Sequence, residues 1–369
     1  MTDHTEPGDL NILPLEDFHE KAGAKFGGFA GWRMPITYPA GVLKEHLHCR
    51  EAAGLFDISH MKLIVAEGAD AAAFLSRACP LDAAALEHRQ SKYTFLLNDD
   101  AGIIDDLIVT RLGETRFMIV ANAGNAARDI AEFRAIAKDF AVTLDPLDRV
   151  FIAIQGPLAA SVLGDAGVDI TGMTFMHGRE PQPGMFLTRS GYTGEDGFEI
   201  GMEAEMAGPF VEKLLTDSRV QWIGLAARDS LRLEAGLCLH GNDLSEAFNP
   251  AEAGLLWAIG KAVRERASFR GASALNTAIA AGVKQRRHGL KPEGRQPVRG
   301  GAAIKLADGT PVGTVTSGGF GPSVNHPVAM GYVATGLPEG TALFAEVRGA
   351  LLPLAIHPLP FFPHRYVKG

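Results

Sequence analysis

Two adjacent aspartates stand inside a segment whose pattern predicts a buried strand. Asp105 and Asp106 lie in the run I-I-D-D-L-I-V-T. Because side chains alternate between the two faces of a strand, these carboxylates point in opposite directions, and both faces are largely apolar. A buried carboxylate needs hydrogen-bond donors, a cation or a polar ligand. Either both aspartates are structural, accepting from backbone N–H groups or an arginine, or one of them faces a bound ligand.

A glycine-rich loop is the second candidate for chemistry. The stretch S-G-Y-T-G-E-D-G, residues 190–197, carries Tyr192 and Glu195, and Glu199 follows on the next predicted strand. Three glycines so close together indicate a tightly folded backbone that a ligand can approach. The pattern is typical of a tight hairpin and also of a binding loop, so both interpretations stay open.

Two arginines share one face of a predicted helix. Arg228 and Arg232 are four residues apart in G-L-A-A-R-D-S-L-R-L-E, close to Asp229 and Glu234. This spacing suits a set of salt bridges. It also suits a planar fork for a carboxylate or for the edge of a heteroaromatic ring.

Residue types that bind metals cluster near the N-terminus, but their spacing argues against a metal site. On a helix, His46 and His48 would point about 200° apart and could not converge on one ion. We therefore expect no metal and structural roles for this cluster, which consists of Glu45, His46, His48, Cys49 and His60.

Common nucleotide and hydrolase motifs are missing from the sequence. Residues 254–261, G-L-L-W-A-I-G-K, have one residue too many between the glycines, and alanine follows the lysine where a phosphate loop needs Ser or Thr. Neither G-x-G-x-x-G nor G-x-S-x-G occurs in a strand–turn–helix context. Phosphate-loop, Rossmann and α/β-hydrolase chemistry are therefore excluded.

Composition limits the class of protein. The chain has 369 residues, 46% of them hydrophobic, and a net charge of −8, which predicts two or three domains and disfavours nucleic-acid binding. The odd number of scattered cysteines, three, indicates a reducing compartment without disulfides. The acidic N-terminus lacks the apolar core of a signal peptide, and no apolar run approaches the roughly 20 residues that span a bilayer. We expect a cytoplasmic protein with no membrane contact.

The elements that must position these residues alternate between helix and strand. A tail over residues 1–12 is expected to be disordered, and the run G-L-F-D-I-S-H-M-K-L-I-V-A, residues 54–66, is expected to turn into a strand. Asn98–Gly102 is a turn-forming cluster, so the strands on either side of it form a hairpin that presents the aspartate pair. The predicted helices are 42–53, 71–77, one after Asn122, one after Gly156, 206–215 and 225–235; the predicted strands are 93–97, 103–112, 117–120, 150–155, 185–189 and 198–202.

The composition and the pattern of predicted elements change after residue 261. Residues 284–299 form a basic crossover punctuated by Gly and Pro, and residues 302–367 contain short β runs separated by turns. This pattern predicts a small all-β barrel or sandwich. With the mixed elements before it, the chain is predicted to be α+β.

Taken together, these segments resemble the aminomethyltransferase of the glycine cleavage system, the T-protein, over nearly the whole chain. The long matching strings are A-A-G-L-F-D-I-S-H-M (52–61), D-D-L-I-V (105–109), S-G-Y-T-G-E-D-G-F-E-I (190–200), G-L-A-A-R-D-S-L-R-L-E-A-G-L-C-L-H-G-N-D (224–243), G-T-V-T-S-G (313–318) and V-A-M-G-Y-V (328–333). Strings of this length are far more specific than a short motif.

The resemblance implies a three-domain, cloverleaf-like folate-binding fold with a C-terminal all-β barrel domain. It implies a folate-binding region over 13–270, built from two interleaved α+β domains (roughly 13–50 with 145–270, and 51–144), and a barrel over 285–369. The implied reaction moves the carbon of an aminomethyl group from the lipoyl arm of H-protein to tetrahydrofolate, a co-substrate. The products are 5,10-methylenetetrahydrofolate, ammonia and dihydrolipoyl H-protein.

The resemblance also assigns roles to individual residues. Asp105 matches the family's essential carboxylate, which leaves Asp106 as its structural neighbour. The implied folate contacts are Met61, Tyr93, Asn122, Tyr192, Glu199, Arg228, Trp257, Arg365 and Tyr366, with the last two aligned loosely. A carboxylate such as Glu199 and a planar donor such as Arg228 suit the edges of a reduced pterin. The basic residues 284–299 face either the folate tail or H-protein, or form a solvated strand between domains.

One departure and three rival functions accompany the resemblance. The family usually has two glycines before the aspartate strand, where this chain has Ala101-Gly102. Folate-dependent demethylases and the folate domains of sarcosine- or dimethylglycine-oxidising enzymes share the fold, but this chain has no flavin-binding domain. Relatives that act in RNA modification or iron–sulfur maintenance use a K-x-C-Y-x-G-Q-E type motif, which L-C-L-H-G-N around Cys238 does not match. A non-enzymatic folate-binding protein is the third alternative.

Overall fold

The computed structural model describes residues 10–369. Most of the predicted disordered tail, residues 1–9, lies outside that range. At its end the prediction is wrong, because Asn11–Ile12 forms a short strand that pairs in parallel with Trp32 and Arg33.

Helices and strands alternate along the first two thirds of the described chain, and strands dominate the last third. The α-helices are α1 (Glu16–Lys21), α2 (Val42–Glu51), α3 (Ala71–Ala78), α4 (Ala126–Ala137), α5 (Ala159–Asp165), α6 (Ala204–Leu215), α7 (Leu225–Glu234), α8 (Lys261–Arg266) and α9 (Ala272–Ala281), and Leu256–Ala258 forms a 3-10 turn. The strands are β1 (Asn11–Ile12), β2 (Lys25–Phe29), β3 (Trp32–Thr37), β4 (Ala53–Asp57), β5 (Lys62–Glu67), β6 (Ser91–Leu97), β7 (Ile103–Arg111), β8 (Arg116–Ala121), β9 (Thr143–Leu147), β10 (Val150–Gln155), β11 (His177–Gln182), β12 (Met185–Arg189), β13 (Gly197–Met202), β14 (Val220–Trp222), β15 (Gln285–Pro292), β16 (Ala303–Lys305), β17 (Pro311–Gly321), β18 (His326–Ala334), β19 (Leu343–Val347) and β20 (Ala350–His357).

The strands form four sheets, as the α+β class predicts. Their strand orders are β1-β3-β2, β11-β12-β13-β10-β4-β14, β6-β7-β8-β5-β9 and, in the C-terminal region, a closed barrel β15-β18-β17-β16-β19-β20. Closure of the barrel leaves no free sheet edge there. The basic stretch that begins at Lys284 is therefore not a crossover, since Gln285–Pro292 is itself a barrel strand that pairs with β18 and β20.

The segment 54–66, predicted to turn into a strand, contains most of β4 and the beginning of β5, which lie in different sheets. β4 pairs with β10 in the six-stranded sheet, whereas β5 pairs with β8 and β9 in the five-stranded sheet. The Asp57 carboxylate accepts from the Ser59 N–H at 2.8 Å, and this local turn ends β4. Residues 58–61 connect the two sheets.

The predicted hairpin around the aspartate pair is confirmed. β6 and β7 pair antiparallel, and the Asn98 side chain accepts from the N–H groups of Asp100 and Gly102 in the turn. Ala101 adopts φ +66° there, the left-handed conformation that glycine adopts without steric cost, and it is 1% exposed. The alanine that departs from the family pattern is thus tolerated with its methyl group buried.

Apolar side chains form cores on both faces of the five-stranded sheet. One face packs on α3 and α4 through residues that include Phe74, Phe117 and Phe133. The other face of β6 and β7 packs against residues 238–283 through Phe95 and Ile103. The strand that carries Asp105 and Asp106 is therefore covered on both sides, as its apolar flanks predict.

Candidate functional site

A cavity of about 1330 Å³ lies where the sheets, the barrel and the C-terminal segment meet. Eight of the ten residues proposed for the site line it. These eight are Met61, Tyr93, Asn122, Tyr192, Glu199, Arg228, Trp257 and Tyr366. Small-molecule sites usually measure about 300–1,000 Å³, so this cavity has room for a folate and for part of a second reactant.

Asp106 is the aspartate of the pair that lines the cavity. Its Oδ2 accepts from the Tyr93 hydroxyl at 2.9 Å, and its Oδ1 accepts from Asn122 Nδ2 at 2.9 Å. Burial raises the pKa of Asp106, and the neighbouring Asp105 raises it further, whereas His240 and the Tyr93 hydrogen bond lower it. The result is a fixed carboxylate on the cavity wall.

Asp105, which was expected to face the ligand, is fully buried behind that wall and is not among the residues that line the cavity. Its Oδ2 accepts from the Asn122 N–H at 3.0 Å, and its Oδ1 accepts from the side-chain amides of Asn122 and Asn125 at 2.9 and 2.7 Å. The prediction of opposite faces was right, but alternation along a strand does not say which face meets the cavity.

The strand register explains how Asn122 reaches both aspartates. β7 and β8 pair from Ile108 with Val120 onwards, and β8 ends at Ala121. Asn122 therefore leaves the sheet beside the unpaired part of β7, and its Nδ2 donates to the Asp106 carbonyl at 3.0 Å. The side-chain amide thus replaces a sheet hydrogen bond and fixes the two carboxylates at the same time.

Arg365 is the second proposed contact that lies away from the cavity. Its guanidinium is 3.5 Å from Glu195 Oε1, donates to the Arg50 carbonyl and lies over the Phe362 ring. Buried Glu195 attracts this cation away from the cavity. Its neighbours His364 and Tyr366 line the cavity instead, on a C-terminal segment held by hydrogen bonds from Arg365 N to Gly194 O and from Phe175 N to Val367 O.

Aromatic rings provide two walls of the cavity. Tyr93 stacks on the exposed Trp257, with ring centroids 5.8 Å apart and an angle of 16° between the planes. Tyr366 stacks on Phe175, with centroids 3.9 Å apart and an angle of 7°. Flat apolar surfaces of this kind suit a planar ring system between them.

The glycine-rich loop was interpreted either as a tight hairpin or as a binding loop. It connects the antiparallel strands β12 and β13, and it also lines the cavity. A side chain at Gly191 would meet Gln155 Oε1 at 1.7 Å, so the backbone must lie there without one. Glu199, on β13, is 7% exposed and accepts from Ser190 Oγ at 2.7 Å. Burial raises its pKa, although Ser190 and Arg228 act in the opposite direction.

The two arginines of α7 take separate roles. The Arg232 guanidinium is buried, binds Asp243 at 2.7 Å and Asp229 at 2.8 Å, and so belongs to a structural ion network. The Arg228 guanidinium lines the cavity and lies 4.5 Å from the centroid of the Tyr192 ring. The fork interpretation therefore fits Arg228 and the salt-bridge interpretation fits Arg232.

The polar residues that line the cavity and that sequence reasoning did not propose for the site include His60, Asn125, His240 and His364. His60 lies in the connection between β4 and β5, and burial, followed by the charge of Arg228, lowers its pKa to about 3. Asn125 Nδ2 is 2.9 Å from His240 Nδ1. The long string around 224–243 contained His240, but no local pattern distinguishes a cavity residue from a buried one there.

Three of the residues considered as metal ligands, Glu45, His46 and His48, make structural contacts. Glu45 accepts from the N–H groups of Tyr38 and Gly224, and His48 Nε2 is 3.1 Å from the Arg219 carbonyl. His46 Nε2 is 3.1 Å from Glu234 Oε2, which also binds Arg50 at 3.1 Å. In the part of the chain that the structure describes, no three His, Cys, Asp or Glu residues converge as metal ligands would.

Comparisons with known proteins agree along the whole chain. The model of the GCVT N-terminal domain matches residues 15–262, and that of the glycine cleavage T-protein C-terminal barrel domain matches residues 285–363. The mitochondrial aminomethyltransferase of Gallus gallus is 43% identical over 98% of this chain and 94% of its own length, and that of Pisum sativum is 39% identical over 98% and 91%. The crystal structure of the glycine cleavage system aminomethyltransferase T from Bartonella henselae is 59% identical, with a TM-score of 0.96 over 97% of this chain and all of that one. Over residues 10–369, no helix has the length and apolarity to cross a bilayer.

Proposed function

This chain belongs to the glycine cleavage T-protein family of aminomethyltransferases, and we propose that it transfers the carbon of a lipoyl-bound aminomethyl group to tetrahydrofolate. In the proposed reaction the carbon–sulfur bond breaks and the lipoyl sulfur leaves as a thiolate, while the carbon keeps its amino group as an iminium. One nitrogen of tetrahydrofolate bonds to this carbon, and a second nitrogen of tetrahydrofolate then displaces the amino group as ammonia, so that the carbon bridges the two nitrogens. The lipoyl arm of H-protein is the proposed donor.

The observation that carries this proposal is the fixed carboxylate of Asp106. The departing thiolate leaves a cationic, iminium-like carbon, and an oriented carboxylate on a largely apolar wall stabilises such a charge more strongly than water does. Tyr93 and Asn122 hold both oxygens of Asp106 in place before the charge develops. This preorganisation supports Asp106, not Asp105, as the catalytic carboxylate.

The cavity offers groups that match the two ends of a folate. Glu199 and Arg228 provide a buried acceptor and a planar donor for the polar edges of the pterin. The stacked pairs Tyr93–Trp257 and Phe175–Tyr366 provide flat surfaces for its rings. Arg287 and His288, on the barrel strand β15, line another part of the cavity, and a cation there suits the anionic glutamate tail.

The experiment that tests this function uses purified protein, tetrahydrofolate and H-protein loaded with methylamine on its lipoyl arm. We expect ammonia release that depends on tetrahydrofolate. The matched control supplies the same H-protein without folate. If ammonia is not released faster with folate than without it, the proposed function is wrong.

A further inference from the structure

A third buried carboxyl group lies behind the aspartate pair. Asp129, on α4, is 0% exposed. No hydrogen-bond donor among the described residues reaches either of its carboxyl oxygens. An ionised carboxylate in that position would lose its hydration, and no hydrogen bond from the described residues would replace it. The side chain must therefore be neutral, with a proton of its own to donate.

Helix geometry directs that proton toward Asp105. Asn125 precedes α4, and the Asp129 N–H donates to the Asn125 carbonyl at 2.9 Å, so the two side chains lie on the same face one turn apart. The Asn125 side chain already donates to Asp105 Oδ1 at 2.7 Å. Burial raises the pKa of Asp129, and the charge of the neighbouring Asp105 and a side-chain hydrogen bond with it raise this pKa further.

Hydrogen-bond partners decide which of the two carboxyl groups carries the proton. Asp105 accepts from three N–H groups, those of Asn122 N, Asn122 Nδ2 and Asn125 Nδ2, all of which stabilise its ionised form. Asp129 has no such donor in the described structure. Of two adjacent buried carboxyl groups without a shared cation, one must hold a proton, and here it is Asp129.

Among the described residues, Arg128 is a cation whose charge lowers the pKa of Asp129, but burial and the neighbouring Asp105 raise this pKa more. Arg128, next to Asp129 on α4, has a 47% exposed side chain and pairs with Glu246. The other titratable groups that face Asp129 are Asp106 on β7, which is also acidic, and the thiol of Cys79 after α3, whose pKa burial and Asp129 raise. Asp105 and Asp129 thus lie behind the cavity wall, and Asp106 lies on it.

We propose that Asp129 is a positioning residue that donates its carboxyl proton to Asp105 and thereby holds Asn122 and Asp106 in their working orientation. The connection runs from Asp129 to Asp105, from Asp105 to Asn122, and from Asn122 Nδ2 to Asp106 Oδ1. Asp129 itself does not line the cavity. The expected effect of Asp129 on turnover rests on the proposed function, whereas the expected proton on Asp129 does not.

Two substitutions separate a donor from a mere space-filling group. D129N keeps the shape and an N–H donor for Asp105, whereas D129L keeps a similar size and removes the donor. We expect D129N to retain kcat within about threefold, and D129L to lose about tenfold or more with KM for tetrahydrofolate nearly unchanged, because small displacements of a catalytic group cost up to about 100-fold. E132Q, on the same helix, is the matched control, since Glu132 pairs with Arg270 away from the cavity.

Infrared difference spectroscopy of wild type minus D129N at pH 7 gives a readout that does not depend on turnover or on D129L folding. We expect the carbonyl band of a protonated carboxylic acid in the wild type that D129N lacks. Absence of that band, wild-type kcat in folded D129L, or equal losses of kcat in D129N and D129L would each overturn the inference. If the wild type lacks folate-dependent ammonia release, the proposed function fails, and the infrared band still decides where the proton lies.

Discussion

Asp105 and Asp106 are neighbours in sequence, point to opposite sides of β7 and are joined by one side-chain amide. Asn122 Nδ2 lies 2.9 Å from Oδ1 of each. Asp105 is thus held in the protein interior, and Asn122 connects it to Asp106 at the cavity wall. The different surroundings of two identical side chains lead directly to different expectations for their substitution.

Replacing Asp106 by asparagine should remove catalysis and spare binding. The variant keeps its size but loses the charge that would stabilise the cationic carbon, so we expect kcat to fall by about 100- to 1,000-fold. The dissociation constant for tetrahydrofolate, measured by tryptophan fluorescence, should change by less than about threefold, a small free-energy change.

Replacing Asp105 by asparagine is the matched comparison. It leaves one of three buried N–H donors poorly satisfied, so the free energy of unfolding should fall by about 1–3 kcal/mol in urea titrations. If D105N loses turnover by the larger factor while D106N mainly loses stability, Asp105 is the catalytic carboxylate and our assignment is wrong.

Replacing Tyr93 by phenylalanine should move the acid limb of the pH–rate profile. The Tyr93 hydrogen bond lowers the pKa of Asp106, so its loss raises that pKa. Since the ionised form is the active one, activity should begin to fall at a higher pH than in the wild type. The control is Y192F, because the Tyr192 hydroxyl donates to the Cys238 carbonyl instead. An acid limb that shifts equally in both variants would contradict the role given to Tyr93.

Replacing Glu199 by glutamine should weaken folate binding. The buried carboxylate is proposed to accept from the pterin, and loss of one charge-assisted hydrogen bond should raise the dissociation constant about tenfold, or about 1.4 kcal/mol. E195Q is the control in the same loop, because Glu195 binds Arg50 at 3.0 Å outside the cavity. E195Q should lower the melting temperature and leave the dissociation constant for tetrahydrofolate unchanged. If E199Q and wild type have equal dissociation constants, Glu199 does not bind the pterin.

Replacing Glu234 by glutamine should cost stability in a pH-dependent way. Burial alone would raise the pKa of Glu234, but the hydrogen bond and charge of His46, the hydrogen bond from Ser323 and the charge of Arg50 lower it to about 2. The Arg50 guanidinium is 3.1 Å from Glu234 Oε2. A lowered carboxyl pKa stabilises the fold above the unfolded value, and this stabilisation is lost as the pH falls toward 2.

In urea titrations, E234Q should therefore be less stable than wild type by about 2–4 kcal/mol at pH 7, since it disrupts a buried charge network. The difference should shrink between pH 5 and pH 3. A difference that is constant over this range would mean that the charge of Glu234 contributes nothing.

The sequence predicts the hairpin, the opposed aspartates and most of the cavity residues because each depends on local pattern or on long matching strings. It does not show where β4 ends, because the Asx turn at Asp57 lies within a largely apolar run. It cannot tell Asp105 from Asp106, since the side of the sheet that meets the cavity depends on where residues 235–242 pack. Arg365 was misassigned because its partner, Glu195, is 170 residues away in sequence.

The C-terminal segment determines when one wall of the cavity can form during synthesis. Tyr366 closes one wall of the cavity by stacking on Phe175, and Arg365 N pins the segment to the glycine-rich loop. During translation, the earlier sheets and the barrel can be synthesised before this wall exists. This wall can form only after residue 366 has been added, so a ligand that needs the Tyr366 wall can bind only after that point of synthesis.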